Sequence, residues 1–155
     1  MTSIIANTRI FTSSRLGVLT FLLLLFSTGL GTQSCSSLSV PFSAESLNAA
    51  KNIKMAAVKL IGNATNDYSA HAADISALTT QVNDQIKTEE ARGANNKQTV
   101  EMYKLMMNPE KNLLGGFLNR WKAEGQLSSF FVDEAKKQIS SNFDKIINLE
   151  NNKKK

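Results

Sequence analysis

The 155-residue chain contains one cysteine, one histidine, two prolines and one tryptophan, and its first acidic residue is Glu45. Each scarcity excludes something. A single cysteine allows no intrachain disulfide, and with one histidine it cannot build a Cys/His zinc cluster. Few prolines and few aromatics, beside abundant alanine, asparagine, lysine, leucine and serine, favour an all-helical chain. No strand-like alternation is present, and no repeat with a period of about 20–50 residues points to a solenoid. A broad surplus of one charge is missing too. The formal charge is +5, but Arg9 and Arg15 near the start and Lys153, Lys154 and Lys155 at the end account for all of it. The sequence between them is neutral, which argues against a nucleic-acid-binding domain. P-loop, G-x-G-x-x-G and G-x-S-x-G patterns are absent, so no cofactor is expected and catalysis is not.

The start of the chain is rich instead in apolar residues. Arg9 and Arg15 form a positive segment, followed by an eleven-residue apolar run at 16–26 and then by Ser27, Thr28, Gly29, Leu30 and Gly31. Spanning a hydrocarbon core takes about 20 residues, so the run is the length of a signal-peptide core. An uncleaved anchor stretched to Gly31 is the alternative.

The leader ends in Thr32-Gln33-Ser34-Cys35-Ser36-Ser37. This resembles, in relaxed form, the processing box of bacterial envelope lipoproteins. Ser34 and Cys35 fit it, while Thr32 and Gln33 stand where leucine and a small residue are usual. The resemblance implies removal of a signal peptide, residues 1–34, and lipid attachment at Cys35. Acyl chains there would hold the protein at a membrane surface without spanning it. Residues 35–42 then form the lipidated cysteine and a flexible Ser-rich tether. Ser36 directly after the cysteine implies an exported, periplasm-facing outer-membrane lipoprotein. Ordinary signal-peptidase cleavage, with Cys35 a free thiol, is the other outcome. As a whole the chain is similar to the small helical lipoproteins of Gram-negative envelopes. The segment 108–122 has the look of a family signature with no activity attached.

The helical domain is expected at 43–150, with a basic, frayed tail at 151–155. Ser43 can cap the first helix and Phe42 can staple onto Leu47. Leu47, Ala50, Lys54, Ala57, Ile61, Ala64, Tyr68, His71, Ile75, Leu78, Val82 and Gln85 then recur at helical spacing. Turn-type residues at 62–67 interrupt this stripe and could form a loop. Because the phase persists across them, the spacing predicts one long helix to about Arg92, kinked at Gly62 and capped by Gly93. At 1.5 Å per residue it would be a rod of roughly 70 Å. A short helix is expected at 97–107, another opening at Asn108-Pro109-Glu110 and ending at Gly125, and a last one from the Ser128 cap to Glu150. The fold class is therefore all-α: a small, elongated, antiparallel bundle of one long helix against two or three shorter ones. Ile61, Tyr68, Ile75, Leu78, Val82, Phe117, Trp121, Phe131, Ile139, Phe143 and Ile146 are the expected core.

Two sites can be drawn. Asp67, His71 and Asp74 lie on one helical face and could handle a metal or a proton, though His71 also fits the apolar seam. Leu113, Gly115, Gly116, Phe117, Arg120 and Trp121 form the one dense aromatic-aliphatic cluster. It is either core or a partner-binding face. The paired glycines there indicate either close approach of the long helix or a hinge with an accessible groove. The carboxylate pairs Glu89 with Glu90 and Asp133 with Glu134 diverge by about 100° on a helix and read as solvated charge. What emerges is an envelope-anchored interaction or scaffolding module. Its partners are the membrane, through Cys35, and either an envelope protein or a second copy covering the long seam. A small metal-handling or hydrolytic domain using His71 is the competing class.

Overall fold

The computed structural model describes residues 40–154. The leader, Cys35 and the tether up to Ser39 lie outside the described residues. Among the described residues there are five α-helices and no strand. These are α1 (Ala44–Gly62), α2 (Ala72–Ala91), α3 (Lys97–Met107), α4 (Leu114–Glu124) and α5 (Ser129–Asn152). None is long and apolar enough to cross a membrane.

The all-α expectation holds, but the single long helix does not. Residues 63–67 turn the chain, and a 3₁₀ turn at Tyr68–His71 leads into α2. Asn63 ends α1 with its N–H on Ile61 and Leu60 carbonyls, and the Asp67 carboxylate caps the next segment through Ser69 N–H. The two halves fold back on each other, since Arg92 at the end of α2 donates to Ser46 Oγ at the start of α1 (2.9 Å). The rod is thus an antiparallel hairpin that buries its own seam. The need for a second copy to cover that seam disappears with it.

Long-range contacts fix the other directions. Lys54 Nζ meets Asp144 Oδ1 at 2.6 Å and the α1 start lies beside Glu150, so α5 runs antiparallel to α1. Lys104 meets Glu90 at 2.6 Å, where α3 turns back along α2. The result is an up-down-up-down four-helix bundle, with short α4 covering the end where α3 passes to α5. That far end is stitched by backbone groups. Tyr68 N–H donates to Gly125 C=O (2.8 Å), Leu127 N–H to Ala64 C=O (2.8 Å), and Trp121 Nε1 to Asn66 C=O (3.0 Å).

Several local expectations are met. Ser43 and Ser128 cap α1 and α5 with their side chains, α3 spans its expected residues, and Gly93 and Gly125 follow helices with φ of 99° and 76°. Positive φ at those two stops is why glycine stands there. Tyr103, Trp121, Ile53, Ile61, Leu114, Ile139, Phe143 and Ile146 fill the core with almost no exposure. Two residues expected inside, Tyr68 and Phe131, are only half-buried because they sit on the rim of the far end.

The helix expected at Asn108-Pro109-Glu110 does not start there. Asn108 Oδ1 does accept from Glu110 N–H (2.8 Å), but this closes a turn, and α4 begins at Leu114. The turn folds over the first residues of α4. A Cβ on Gly115 would lie 2.1 Å from Met107 C=O oxygen, and one on Gly116 1.9 Å from Lys111 C=O oxygen. The glycines therefore admit the chain's own 107–111 backbone, not the long helix. The tail differs as well. α5 continues to Asn152, and Lys153 is drawn into the protein by the groups described next.

Candidate functional site

The Asp67, His71 and Asp74 trio is not assembled. His71 Nδ1 lies 3.6 Å from Asp74 Oδ2, but its ring packs 5.6 Å from that of Trp121. Asp67 is turned to Ser69, accepting from its N–H (2.8 Å) and Oγ (2.7 Å), and these bonds hold its carboxyl below the ordinary value. Among the described residues no group of three or more His, Cys, Asp or Glu could hold a metal ion.

A charged cluster that was not among the sites drawn from sequence lies at the opposite end of the bundle. Glu89 and Glu150, from α2 and α5, are both 0% exposed. Arg92 joins them, with Nη1 at 2.7 Å from Glu89 Oε2 and 3.3 Å from Glu150 Oε2. Its Nη2 donates to Pro41 C=O. Asn96 Nδ2 donates to Glu89 Oε2 (2.6 Å) and Gln85 to Glu89 Oε1. Thr99 Oγ1 donates to Glu150 Oε1 (2.6 Å), and Lys153 ion-pairs with the same carboxylate while donating to Asn96 Oδ1 (2.6 Å). Two anions thus face two cations, with nearly every oxygen satisfied, as burial of charge demands.

Burial alone would push the Glu89 carboxyl up. Hydrogen bonds from Ser46, Asn96 and Arg92, with the Arg92 charge, outweigh it and hold the carboxyl below its ordinary value. Burial, then the two carboxylates, push the Tyr103 phenol well up, so it stays neutral. Its hydroxyl is the one buried side-chain polar atom without a partner among the described residues. The solvated reading of Glu89 is therefore corrected. Sequence did carry a signal: Val82, Gln85 and Glu89, like Phe143, Ile146 and Glu150, continue an apolar stripe at 3–4 spacing with polar residues. The cluster clamps α1, α2, α3 and α5 to the incoming Pro41 segment. Val40 is buried and Lys154 Nζ lies 4.7 Å from the Phe42 ring, so the expected tether does not include Val40, Pro41 and Phe42.

The Leu113-to-Trp121 cluster divides. Trp121 and Gly115 are core; Trp121 packs edge-on to Tyr68 at 5.5 Å. Phe117 is core as well, at 3% exposure, yet with Leu113, Gly116 and Arg120 it lines a groove of about 230 Å³ between α4 and α5, closed on the other side by Phe131, Glu134, Gln138 and Ile139. The Phe117 and Phe131 rings stack at 6.0 Å, and the Arg120 guanidinium covers Phe131 at 4.1 Å. Phe130, one residue before, is 78% exposed, more than any other large apolar side chain described. A second groove, about 260 Å³ between α1 and α2, is lined by Lys59, Asn63, Asp74 and Gln81 around Leu60 and Leu78. It has no aromatic lining. Comparison with protein-family models, with curated proteins and with solved structures yields no match.

Proposed function

We propose that the protein is a membrane-anchored interaction module, held through lipid on Cys35 and engaging a partner with the groove between α4 and α5. The observation that carries this is polarity of the bundle. The Pro41 segment, a few residues after Cys35, is fastened at one end by Arg92. The Phe117–Phe131 groove and exposed Phe130 lie toward the other. A tether at one end and an aromatic, Arg-flanked groove toward the other suit a module that reaches away from a surface. The role is binding, carried by the aromatic, Arg-flanked groove.

Two measurements test it. Cells fed a fatty-acid analogue should label the wild type and not Cys35→Ala; equal labelling refutes the anchor. A photo-crosslinking residue at Phe130 in intact cells should form protein adducts, while one at exposed Glu45, at the tethered end, should not. Adducts at Glu45 alone, or at neither position, refute the groove as the binding face.

A further inference from the structure

We propose that the partner seated on this groove is a second copy of the chain, in a side-by-side dimer whose twofold axis runs along α5. The proposal rests on the groove being the binding face and names its occupant.

The face is complementary to itself in charge. Arg120 stands on the α4 wall of the groove and Glu134 on the α5 wall. A twofold axis between two such faces brings each Arg120 to the partner's Glu134, whereas a face of one sign would repel its copy. Their present partners are weak competitors. Arg120 pairs with Glu124 at 2.7 Å and Glu134 with Lys137 at 2.8 Å, both within one helix and both on exposed side chains. Such pairs contribute little and re-form across an interface at little cost.

The apolar part is complementary too. Phe130 and Glu134 are one turn apart on α5 and share a face. Phe130 therefore stands on the rim of the groove, too exposed for a ring of its size in a domain whose other described phenylalanines are all at least partly buried. Across the twofold axis each Phe130 enters the other copy's groove, against the half-buried Leu113 and Phe131. Exchange of this kind works only if donor ring and acceptor groove lie at one height. They do: Arg120 covers Phe131, and Phe130 adjoins it in sequence. With the axis along α5, both Pro41 segments leave on the same side, as two copies on one membrane require. The interface is small, and anchoring supplies the high effective concentration that a small interface needs.

The test uses the full-length chain in intact cells, with the photo-crosslinking residue at Phe130. The expected product is an adduct of twice the chain's mass. Arg120→Glu alone or Glu134→Arg alone should lower its yield about tenfold by setting like charges face to face. The double variant, Arg120→Glu with Glu134→Arg, should restore it. With the crosslinker moved to exposed Gln138, Phe130→Ser should abolish the adduct. Circular dichroism of the purified variants checks that each is folded. Adducts only to a different protein overturn the second copy and leave the groove a binding face. Absence of any adduct overturns both. A dimer adduct indifferent to the charge reversals, or not restored by the double variant, overturns the twofold pairing.

Discussion

Replacing Arg92 with methionine would leave two carboxylates inside the bundle with one cation fewer to face. Glu89 and Glu150 are both 0% exposed, and Arg92 bridges them from a side chain that is itself 17% exposed. Removing one partner of a buried ion pair costs about 3–5 kcal/mol, because the remaining charge stays desolvated. Partial exposure of Arg92 admits some screening, so the expected loss is about 3 kcal/mol, or roughly 10 °C in Tm for a domain of this size. Urea unfolding of the purified chain, followed by far-UV circular dichroism, measures it, with the slope unchanged. The pH dependence adds a sign. Glu89 is held below its ordinary value in the folded protein, so its contribution is present above the unfolded pKa and lost as pH falls through the folded one. Protonated carboxyls do not need the guanidinium, so the gap between Arg92→Met and wild type should narrow in acid. A quadruple variant, Glu89→Met, Glu150→Leu, Arg92→Met and Lys153→Met, should recover most of the loss, since with Lys153 also removed no member of the cluster's ion pairs is left stranded. A loss below about 1 kcal/mol, independent of pH, would refute the account and class the cluster with exposed ion pairs.

Four further substitutions test other parts of the structure. Gly116→Ala would be stabilising by about 1 kcal/mol in an open helix, but the collision with Lys111 C=O should make it destabilising by about 1–3 kcal/mol; the sign of the change in urea midpoint decides. Phe143→Ala should cost about 3–5 kcal/mol in the same assay, while Phe131→Ala, at the groove, should cost less than about 2 kcal/mol; equal costs would make the groove part of the core. His71→Ala should alter tryptophan fluorescence, because the ring packs on Trp121; stoichiometric zinc in the wild type that this variant loses would revive the metal-site alternative.

Much of the helical content was legible because its signals are local. Ser43, Ser128, Gly93 and Gly125 mark helix ends through bonds and torsions that involve their own neighbours. The break after Gly62 was hidden by a coincidence of phase. Ile61, Ala64 and Ile75 all face the core, but a hairpin needs inward apolar residues on both of its arms just as one rod does. Asn108-Pro109 was misread for the opposite reason. Its cap is real but closes a turn, and the requirement that decides the geometry sits later, in Gly115 and Gly116. The charged cluster is tertiary throughout. Glu89 and Glu150 belong to distant helices, and only the polar continuation of their apolar stripes hinted that they turn inward. Within the groove, Phe117 and Arg120 were identified from sequence; Glu134, on the facing helix, was not.

The cluster joins parts of the chain that synthesis and local folding bring together last. Arg92 and Glu150 are 58 residues apart, and Phe42 meets Lys154 across nearly the whole domain. The α1–α2 hairpin closes a short loop, whereas these contacts wait until both ends of the bundle have arrived. Interactions formed after the transition state leave the folding rate alone and act on the rate of opening. A loss of about 3 kcal/mol confined to that step shortens the lifetime of the folded domain roughly a hundredfold while it still folds at its usual speed. Anchored in the envelope as proposed, the protein would meet proteases, and there that lifetime would govern survival, with one guanidinium at the seam between the described domain's two ends setting it.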